Sequence, residues 1–314
     1  MSQHTFSRFA RLAVLALALE ACQDTPTGTT SPISESVAGV GPHGGGPPRS
    51  IVYSNDCDGD VEIVTLNADG TGLHQVTFND ATDNQPRWST NGKLIYFGSD
   101  RSGNEEVWVM NADGSDQHQL THTGAAFTRD INVSTNDKEL LFDSDLTGDR
   151  EIFVISTDGG EPKNLTNSPT FDIQPDISTD GKRIVFARAA EDQGITDLYV
   201  MNADGSGLAN LTNSPEVLEN QPAWSSNGQQ IVFSSDAGGE PDIWVMHADG
   251  SGLRDLTNTP ETPEFRPRWS HSGHQIYFLR LVDDQFHLFV MNADGSGQAK
   301  VTNLPCGEGG ADAR

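Results

Sequence analysis

The most regular feature of this chain is a pair of apolar strands that recurs six times. In one copy the pair reads KLIYFGS at Lys93–Ser99 and EVWVMN at Glu106–Asn111. A half-exposed strand would alternate apolar and polar residues, whereas continuous apolar runs indicate strands that are covered on both faces. The six pairs therefore predict sheets that pack against a neighbour on each side. They begin near Ile51, Leu94, Leu140, Ile184, Ile231 and Ile276.

Each strand pair belongs to a longer repeat. A four-residue phrase ending in Asp-Gly, first seen at Asn67–Gly70, starts again after 44, 45, 46, 45 and 45 residues. A short strand precedes the pair in most repeats, and a short polar strand follows it. A period near 45 residues with four strands per repeat is typical of a β-propeller blade. We therefore predict an all-β fold, a six-bladed β-propeller of four-stranded antiparallel blades, over residues 50–302.

The inner strand of the blade is visible in only five of the six repeats. It ends at Trp88-Ser89, Val133-Ser134, Ile177-Ser178, Trp224-Ser225 and Trp269-Ser270. The first repeat begins directly at its second strand. Either the segment before residue 50 or the C-terminal tail at 303–314 supplies the sixth inner strand, or the first blade has three strands. The pattern leaves these alternatives open.

The N-terminal segment is predicted to lie outside the fold. Residues 1–22 contain the apolar stretch Leu12–Leu19, which is too short to span a bilayer and fits a secretory signal. The following LEAC, ending at Cys22, resembles the bacterial lipobox, whose cysteine is lipidated; an ordinary cleaved signal is the alternative. Gln23 resembles the residue found in outer-membrane lipoproteins, and residues 23–49 form a flexible Pro/Gly/Ser/Thr-rich tether. We expect an envelope protein that contacts the membrane through its lipid anchor only, either at the outer membrane facing the periplasm or secreted.

The charge of the chain argues against nucleic acid as a partner. Acidic residues number 45 against 19 basic ones, and the net charge is −26. Binding to phosphate backbones needs clustered Lys and Arg. A solvated acidic rim explains this charge, with cationic partners or divalent metals as the alternative.

A disulfide between Cys57 and Cys306 is predicted from the strand order. Cys57 lies in the loop between the second and third strands of the first blade, and Cys306 follows the last strand. Both kinds of loop open on the same face, and the last blade of a closed ring abuts the first. Export would permit the bond. The alternative is a pair of free thiols too far apart to react.

The repeat resembles a known family. Residues 88–115, WSTNGKLIYFGSDRSGNEEVWVMNADGS, are similar to the TolB-type propeller repeat of bacterial envelope proteins, and the pattern recurs through all six units. TolB itself carries an α/β domain before its propeller, whereas only the tether at 23–49 precedes this one. The resemblance therefore implies a TolB-like propeller lipoprotein rather than TolB itself.

Two enzyme classes have propellers of the same kind. Prolyl oligopeptidase-type peptidases need a hydrolase domain with a G-x-S-x-G nucleophile elbow, and no such pentapeptide occurs in this sequence. Oligogalacturonate lyase is a propeller with a metal and His ligands. The nine histidines of this chain are scattered, mainly at turns and edges, whereas such a metal needs several converging donors. No catalytic residue is assigned, and binding is favoured over catalysis.

One acidic loop resembles a calcium site. Asp56, Asp58, Asp60 and Glu62 place carboxylates at alternate positions, as in loops that wrap a hard cation. The spacing departs from the EF-hand pattern. The alternative is an ordinary turn in which Asp and Gly bond their own backbone. Apart from calcium at this loop, no cofactor is expected.

The channel mouth is the remaining candidate site. Connections between blades deliver their last residues to the inner strands, which line the axis. Five aligned positions are predicted to face the mouth: Gln85, Asp130, Gln174, Gln221 and Arg266. Such side chains suit hydrogen-bonded recognition of a peptide or a glycan; the alternative is that the amides pin neighbouring loops.

These features lead to one main functional hypothesis. We expect a non-catalytic binding scaffold of the bacterial cell envelope that docks an envelope protein or peptide at the channel mouth. The first alternative is a carbohydrate-active enzyme, a lyase or hydrolase of the propeller type. The second is a purely structural envelope protein.

Overall fold

The computed structural model describes residues 50–190, 194–259 and 261–314. The predicted signal peptide, Cys22 and the tether at 23–49 lie outside these residues. In the described part, no helix has the length and apolar character needed to cross a membrane.

The described chain is built from 24 strands. In chain order they are β1 (Ile51–Asn55), β2 (Glu62–Leu66), β3 (His74–Gln75), β4 (Asp83–Trp88), β5 (Leu94–Ser99), β6 (Glu106–Asn111), β7 (His118–Gln119), β8 (Thr128–Val133), β9 (Glu139–Ser144), β10 (Glu151–Ser156), β11 (Lys163–Asn164), β12 (Asp172–Ile177), β13 (Arg183–Ala189), β14 (Thr196–Asn202), β15 (Ala209–Asn210), β16 (Glu219–Trp224), β17 (Gln230–Ser235), β18 (Asp242–His247), β19 (Arg254–Asp255), β20 (Glu264–Trp269), β21 (Gln275–Val282), β22 (Gln285–Asn292), β23 (Ala299–Lys300) and β24 (Asp312–Ala313).

These strands form six four-stranded antiparallel sheets, which confirms the six-bladed propeller. Five blades use consecutive strands: β4 to β7, β8 to β11, β12 to β15, β16 to β19 and β20 to β23. The first blade has the order β24, β1, β2, β3. Its inner strand therefore comes from the other end of the chain.

The C-terminal tail closes the ring. Ala313 pairs with Ile51 and Asp312 with Val52, and an isolated bridge joins Glu308 to Asn55. This register gives the tail the same place in the first blade that β4 holds in the second, where Trp88 pairs with Ile95. The tail is thus part of the propeller rather than a segment beyond it, and it supplies the inner strand that the repeat pattern left unassigned.

Two further contacts hold the closure. A disulfide joins Cys57 to Cys306, whose Cα atoms lie 5.1 Å apart. A buried cluster spans the seam, the contact between the sixth and first blades, and includes Tyr277 of the sixth blade and Tyr53 of the first. The seam is therefore held by backbone pairing, a covalent bond and apolar packing together.

The apolar cores lie between blades, as the continuous apolar runs predict. In one of them, Tyr96 and Val109 of the second blade pack with Phe142 and Phe153 of the third, and all four are buried. Burying a side chain of this size contributes about 1.5–3 kcal/mol. One blade by itself would expose both faces, so the ring stabilises each of its members.

The recurring Asp-Gly turn is explained by contacts within and between blades. Asp249 Oδ1 accepts hydrogen bonds from the backbone N–H and hydroxyl of Ser251, at 3.0 and 2.6 Å. Gly250 has a φ of 84°, which favours glycine. A Cβ on Gly250 would lie 2.7 Å from the carbonyl oxygen of Leu211 in the preceding blade. The glycine therefore permits both the turn and the close approach of two blades.

Candidate functional site

The five residues predicted at the channel mouth occupy equivalent places in five inner strands. Their φ angles lie between 49° and 59°, in the left-handed region, and each sits where the register between inner and second strand shifts. Such bulges aim a side chain that regular pairing would direct elsewhere. Gly310 takes the sixth position in the register of the tail. We name these six the upper ring: Gly310, Gln85, Asp130, Gln174, Gln221 and Arg266.

The upper ring fastens blades to each other. Gln85 Oε1 accepts a hydrogen bond from the N–H of Asp130 at 2.5 Å, and Gln174 Oε1 accepts one from the N–H of Gln221 at 2.9 Å. Gln221 Oε1 in turn accepts from the N–H of Arg266 at 2.7 Å. These bonds match the alternative interpretation, in which the amides pin neighbouring segments. Ligand binding by the five residues remains a prediction.

An ion pair crosses the axis at this level. Arg266 Nη1 lies 3.5 Å from Asp130 Oδ1, although the two residues belong to the sixth and third blades, on opposite sides of the ring. Burial opposes ionisation of Asp130, but Arg266 and Arg150 hold its pKa below the usual range. The cavity left beside this pair measures about 10 Å³, which is the space of one water. Little room remains here for a ligand.

A larger cavity lies at the other end of the axis, where the inner strands end. It measures about 260 Å³ and is lined by Trp88, Trp224 and Trp269, with Arg314 beside them. Six equivalent positions, each two residues after the upper ring, surround it. We name them the lower ring: Asp312, Arg87, Asn132, Asp176, Ala223 and Arg268.

Both aspartates of the lower ring have hydrogen-bond partners. Asp176 accepts from the N–H of Trp224 at 2.5 Å and from the side chain of Asn132, and Arg268 Nη1 lies 3.5 Å from it. Asp312 accepts from the backbone N–H of Trp88 at 2.8 Å. Each aspartate therefore ties its own blade to the next one.

Arg87 is less well paired. It is 6% exposed, and its Nη1 donates to the Pro86 carbonyl at 2.9 Å. Its Nε has no hydrogen-bond partner among the described residues. Burial lowers the pKa of Arg87 to about 9, and the nearby charge of Arg268 adds to this effect. The sequence analysis did not predict this cavity. A usable signal was present, because a charged residue, Arg87 or Arg268, precedes two of the three Trp-Ser dipeptides.

The face that surrounds the upper ring carries exposed aromatic residues. Phe78, Phe127 and Phe171 lie in three successive connections between blades and are 74%, 39% and 51% exposed. Exposed Leu146 follows Asp145, whose N–H donates to the Phe127 carbonyl at 3.3 Å. We name these four residues the phenylalanine face. The sequence contained them, but nothing in the repeat separates them from core positions.

A polar hollow opens on the same face. It measures about 200 Å³ and lies between the second and third blades, beside Phe127. Asn84, Glu105 and Arg129 line it, and Arg129 forms an ion pair with Glu105. Asn84 Nδ2 donates to Glu105 at 3.1 Å. The hollow thus offers polar groups next to an apolar surface.

The predicted calcium loop comes together only in part. One carboxylate oxygen each of Asp58, Asp60 and Glu62 lies within 4.8 Å of the others. Asp56 instead accepts a hydrogen bond from the N–H of Gly307 at 2.8 Å. Burial raises the pKa of Asp60 and of Glu62, and neighbouring carboxylates add to it. Calcium usually takes six to eight oxygens, so calcium binding here remains a prediction.

Glu62 also has a structural role that recurs in other blades. Its Oε1 accepts from the backbone N–H of Asn79 at 2.5 Å, in the connection to the second blade. Glu106 accepts in the same way from the N–H of Gly124 at 2.9 Å. Among the described residues, the one group of three or more candidate metal ligands is the acidic loop, and it contains no histidine.

The fold and the axis define a six-bladed propeller whose channel is narrowed by a buried ion pair. Residues 41–145 and 187–310 match the model of the TolB beta propeller domain. The chain belongs to this family. No curated protein sequence matches it.

Solved structures show the same fold. Putative TolB from Agrobacterium tumefaciens has 20% identity and a TM-score of 0.69, with 83% of this chain and 91% of that chain covered. TolB from Acinetobacter baumannii has 16% identity and a TM-score of 0.71, covering 84% of this chain and 66% of that one. Oligogalacturonate lyase in complex with manganese has 12% identity and a TM-score of 0.55, covering 81% and 72%. At these identities the likeness concerns the fold alone.

Proposed function

We propose that this protein is a non-catalytic docking scaffold of the bacterial cell envelope. It binds a protein or a peptide through the phenylalanine face and the adjoining polar hollow. The observation that carries this proposal is the set of exposed aromatic residues in three successive blade connections. The docking surface proposed here surrounds the upper ring, whose side chains already bond neighbouring blades. Binding of the partner by the upper ring itself stays a prediction.

The composition of this face supports protein binding. Protein interfaces are enriched in aromatic residues at their centre and are polar at their rim. Phe127 is partly covered by Arg129, whose guanidinium carbon lies 4.9 Å from the ring centroid. An apolar anchor beside a polar hollow offers a partner both burial and directional hydrogen bonds. Exposed apolar surface that is rimmed by polar residues commonly marks an interaction site.

The envelope location rests on sequence features. The apolar stretch in residues 1–22 and the lipobox-like ending at Cys22 support export and lipid anchoring. Membership of the TolB beta propeller domain family is consistent with an envelope protein. The alternative of a carbohydrate-active enzyme is supported only by the fold that this chain shares with oligogalacturonate lyase.

Site-specific cross-linking tests the docking surface. A photoreactive phenylalanine analogue is placed at Phe171 in the full chain, expressed in the source bacterium. The matched control carries it at Leu253, which is also 51% exposed but lies beyond a turn on the opposite face. We expect a discrete cross-linked product from position 171 and none from position 253. Adding Phe127→Asp should reduce that product severalfold. Equal cross-linking at both positions, or at neither, would contradict the proposal.

A further inference from the structure

The cavity at the tryptophan end of the axis has the features of a small binding site. Its volume of about 260 Å³ lies just below the range of sites for drug-sized ligands. Three of the five tryptophans in the chain line it. Its size fits one or two amino-acid residues rather than a folded partner.

The cavity presents an excess of positive charge in a strongly acidic protein. Arg87, Arg268 and Arg314 line it against Asp176 and Asp312, while the chain as a whole carries a net charge of −26. Both aspartates are occupied by backbone N–H groups of the next blade. The arginine side chains therefore suit an anionic ligand such as a carboxylate.

Arg87 is the group that points to a ligand. A guanidinium has five N–H donors, and burying it without acceptors is costly. Arg87 lies at the inner end of the cavity, nearly fully buried, with Nε unpartnered among the residues described. Its neighbour Arg268 donates from Nη1 to the Pro222 carbonyl at 3.1 Å, and its contact to a carboxylate is long, 3.5 Å to Asp176 Oδ1. Arg87 and Arg268, which are both members of the lower ring, thus lack close carboxylate partners.

We propose that this cavity binds the carboxylate of a short peptide segment, with Arg87 and Arg268 donating to the carboxylate and the tryptophans covering the adjoining residue. Arginine suits this role because its planar fork matches the two oxygens of a carboxylate. Arg314 lies near the rim, with its guanidinium carbon 5.5 Å from the Trp88 ring centroid. The carboxylate comes from a C-terminal residue or from an acidic side chain. The site is at the opposite end of the axis from the phenylalanine face and is independent of docking there.

Binding of three capped tripeptides tests the proposal and distinguishes the two sources. Acetyl-Gly-Gly-Ala with a free carboxylate presents a C-terminus, acetyl-Gly-Glu-Gly-amide presents a side chain, and acetyl-Gly-Gly-Ala-amide presents neither. Titrations are followed by tryptophan fluorescence and by calorimetry on the full chain. We expect at least one acidic peptide to bind and the neutral amide to bind at least about tenfold more weakly, the loss typical of one charged hydrogen bond. The peptide that binds more tightly identifies the source.

Variants then locate the site. Arg87→Gln should weaken binding of the acidic peptide at least about tenfold. Arg314→Ala, at an exposed position, should weaken it about twofold to fivefold. The control Arg254→Ala makes the same change in net charge on the outer strand β19 and should leave the affinity unchanged.

Several results would overturn the proposal. These are equal binding of acidic and neutral peptides, no binding of any peptide, or equal losses in Arg254→Ala and Arg87→Gln. Thermal unfolding first establishes that Arg87→Gln is folded. If Arg87→Gln does not fold, two other measurements test the proposal. These are the comparison of the three peptides on the unmodified chain and the affinity of the Arg314→Ala variant.

Discussion

Breaking the disulfide at the seam should loosen the whole ring. The bond joins Cys57 and Cys306 across a sequence separation of 249 residues. Replacing both cysteines with serine leaves the tail attached by few backbone hydrogen bonds. Two of them run from the N–H of Gly309 to the Ser54 carbonyl at 2.7 Å and from the N–H of Arg314 to the Ser50 carbonyl at 2.8 Å. The closure then depends on this short pairing, on side-chain hydrogen bonds such as that of Asp312 with the Trp88 N–H, and on apolar packing.

The expected magnitude follows from the length of the closed loop. A crosslink over roughly 250 residues stabilises by about 5 kcal/mol in the loop-entropy model, and measured effects are often smaller. For a domain of this size, 1 kcal/mol corresponds to about 2–4 °C in melting temperature. We therefore expect the double serine variant to melt about 10 °C lower than the oxidised protein. Because β24 is only two residues long, the tail should separate from the first blade before the rest of the ring unfolds.

Thermal unfolding by circular dichroism and hydrogen exchange measure both effects. The single variants Cys57→Ser and Cys306→Ser serve as controls, and each should match the double variant, since either one removes the same bond. The amides of Gly309 and Arg314 should lose protection well before those of β1. A melting temperature within about 2 °C of the oxidised protein, together with unchanged exchange in the tail, would refute the reasoning.

Three other predictions concern single residues. Gln221→Ala removes the acceptor of the Arg266 N–H and should cost about 1–2 kcal/mol in urea unfolding; an unchanged midpoint would argue against the pinning role of the upper ring. Burial raises the pKa of Glu219 from 4.5 to about 7. Between these pH values the folded state holds a proton that the unfolded chain releases. The stability that this group contributes is therefore lost as the pH rises from 4.5 to 7. The raised pKa corresponds to about 3 kcal/mol at pH 8, so Glu219→Gln should raise the melting temperature at that pH by about 7 °C and change it little at pH 4.5; equal shifts at both pH values would contradict this sign. Gly250→Ala, whose Cβ would meet a carbonyl oxygen at 2.7 Å, should destabilise more than Gly228→Ala, where φ is also positive and nothing lies within 4 Å. We expect about 3 and 1 kcal/mol by chemical denaturation, and equal losses would refute the packing argument.

The sequence by itself determined the blade and the number of blades. Apolar runs such as Ile95–Phe97 specify strands covered on both faces, and a period near 45 residues specifies one sheet per repeat. These features are local, because strand pairing and turn chemistry within a blade involve residues close in the chain. The positions of the upper ring could be located by alignment for the same reason.

Only the tertiary structure decided how the ring closes and what meets at its axis. The tail strand Asp312–Ala313 carries no repeat pattern, and its partner Ile51 lies at the other end of the domain. The ion pair of Arg266 and Asp130 joins residues 136 positions apart. Such contacts depend on the geometry of six blades around one axis, which no local pattern encodes. The function of the channel ends therefore depends on residues that become neighbours only after closure.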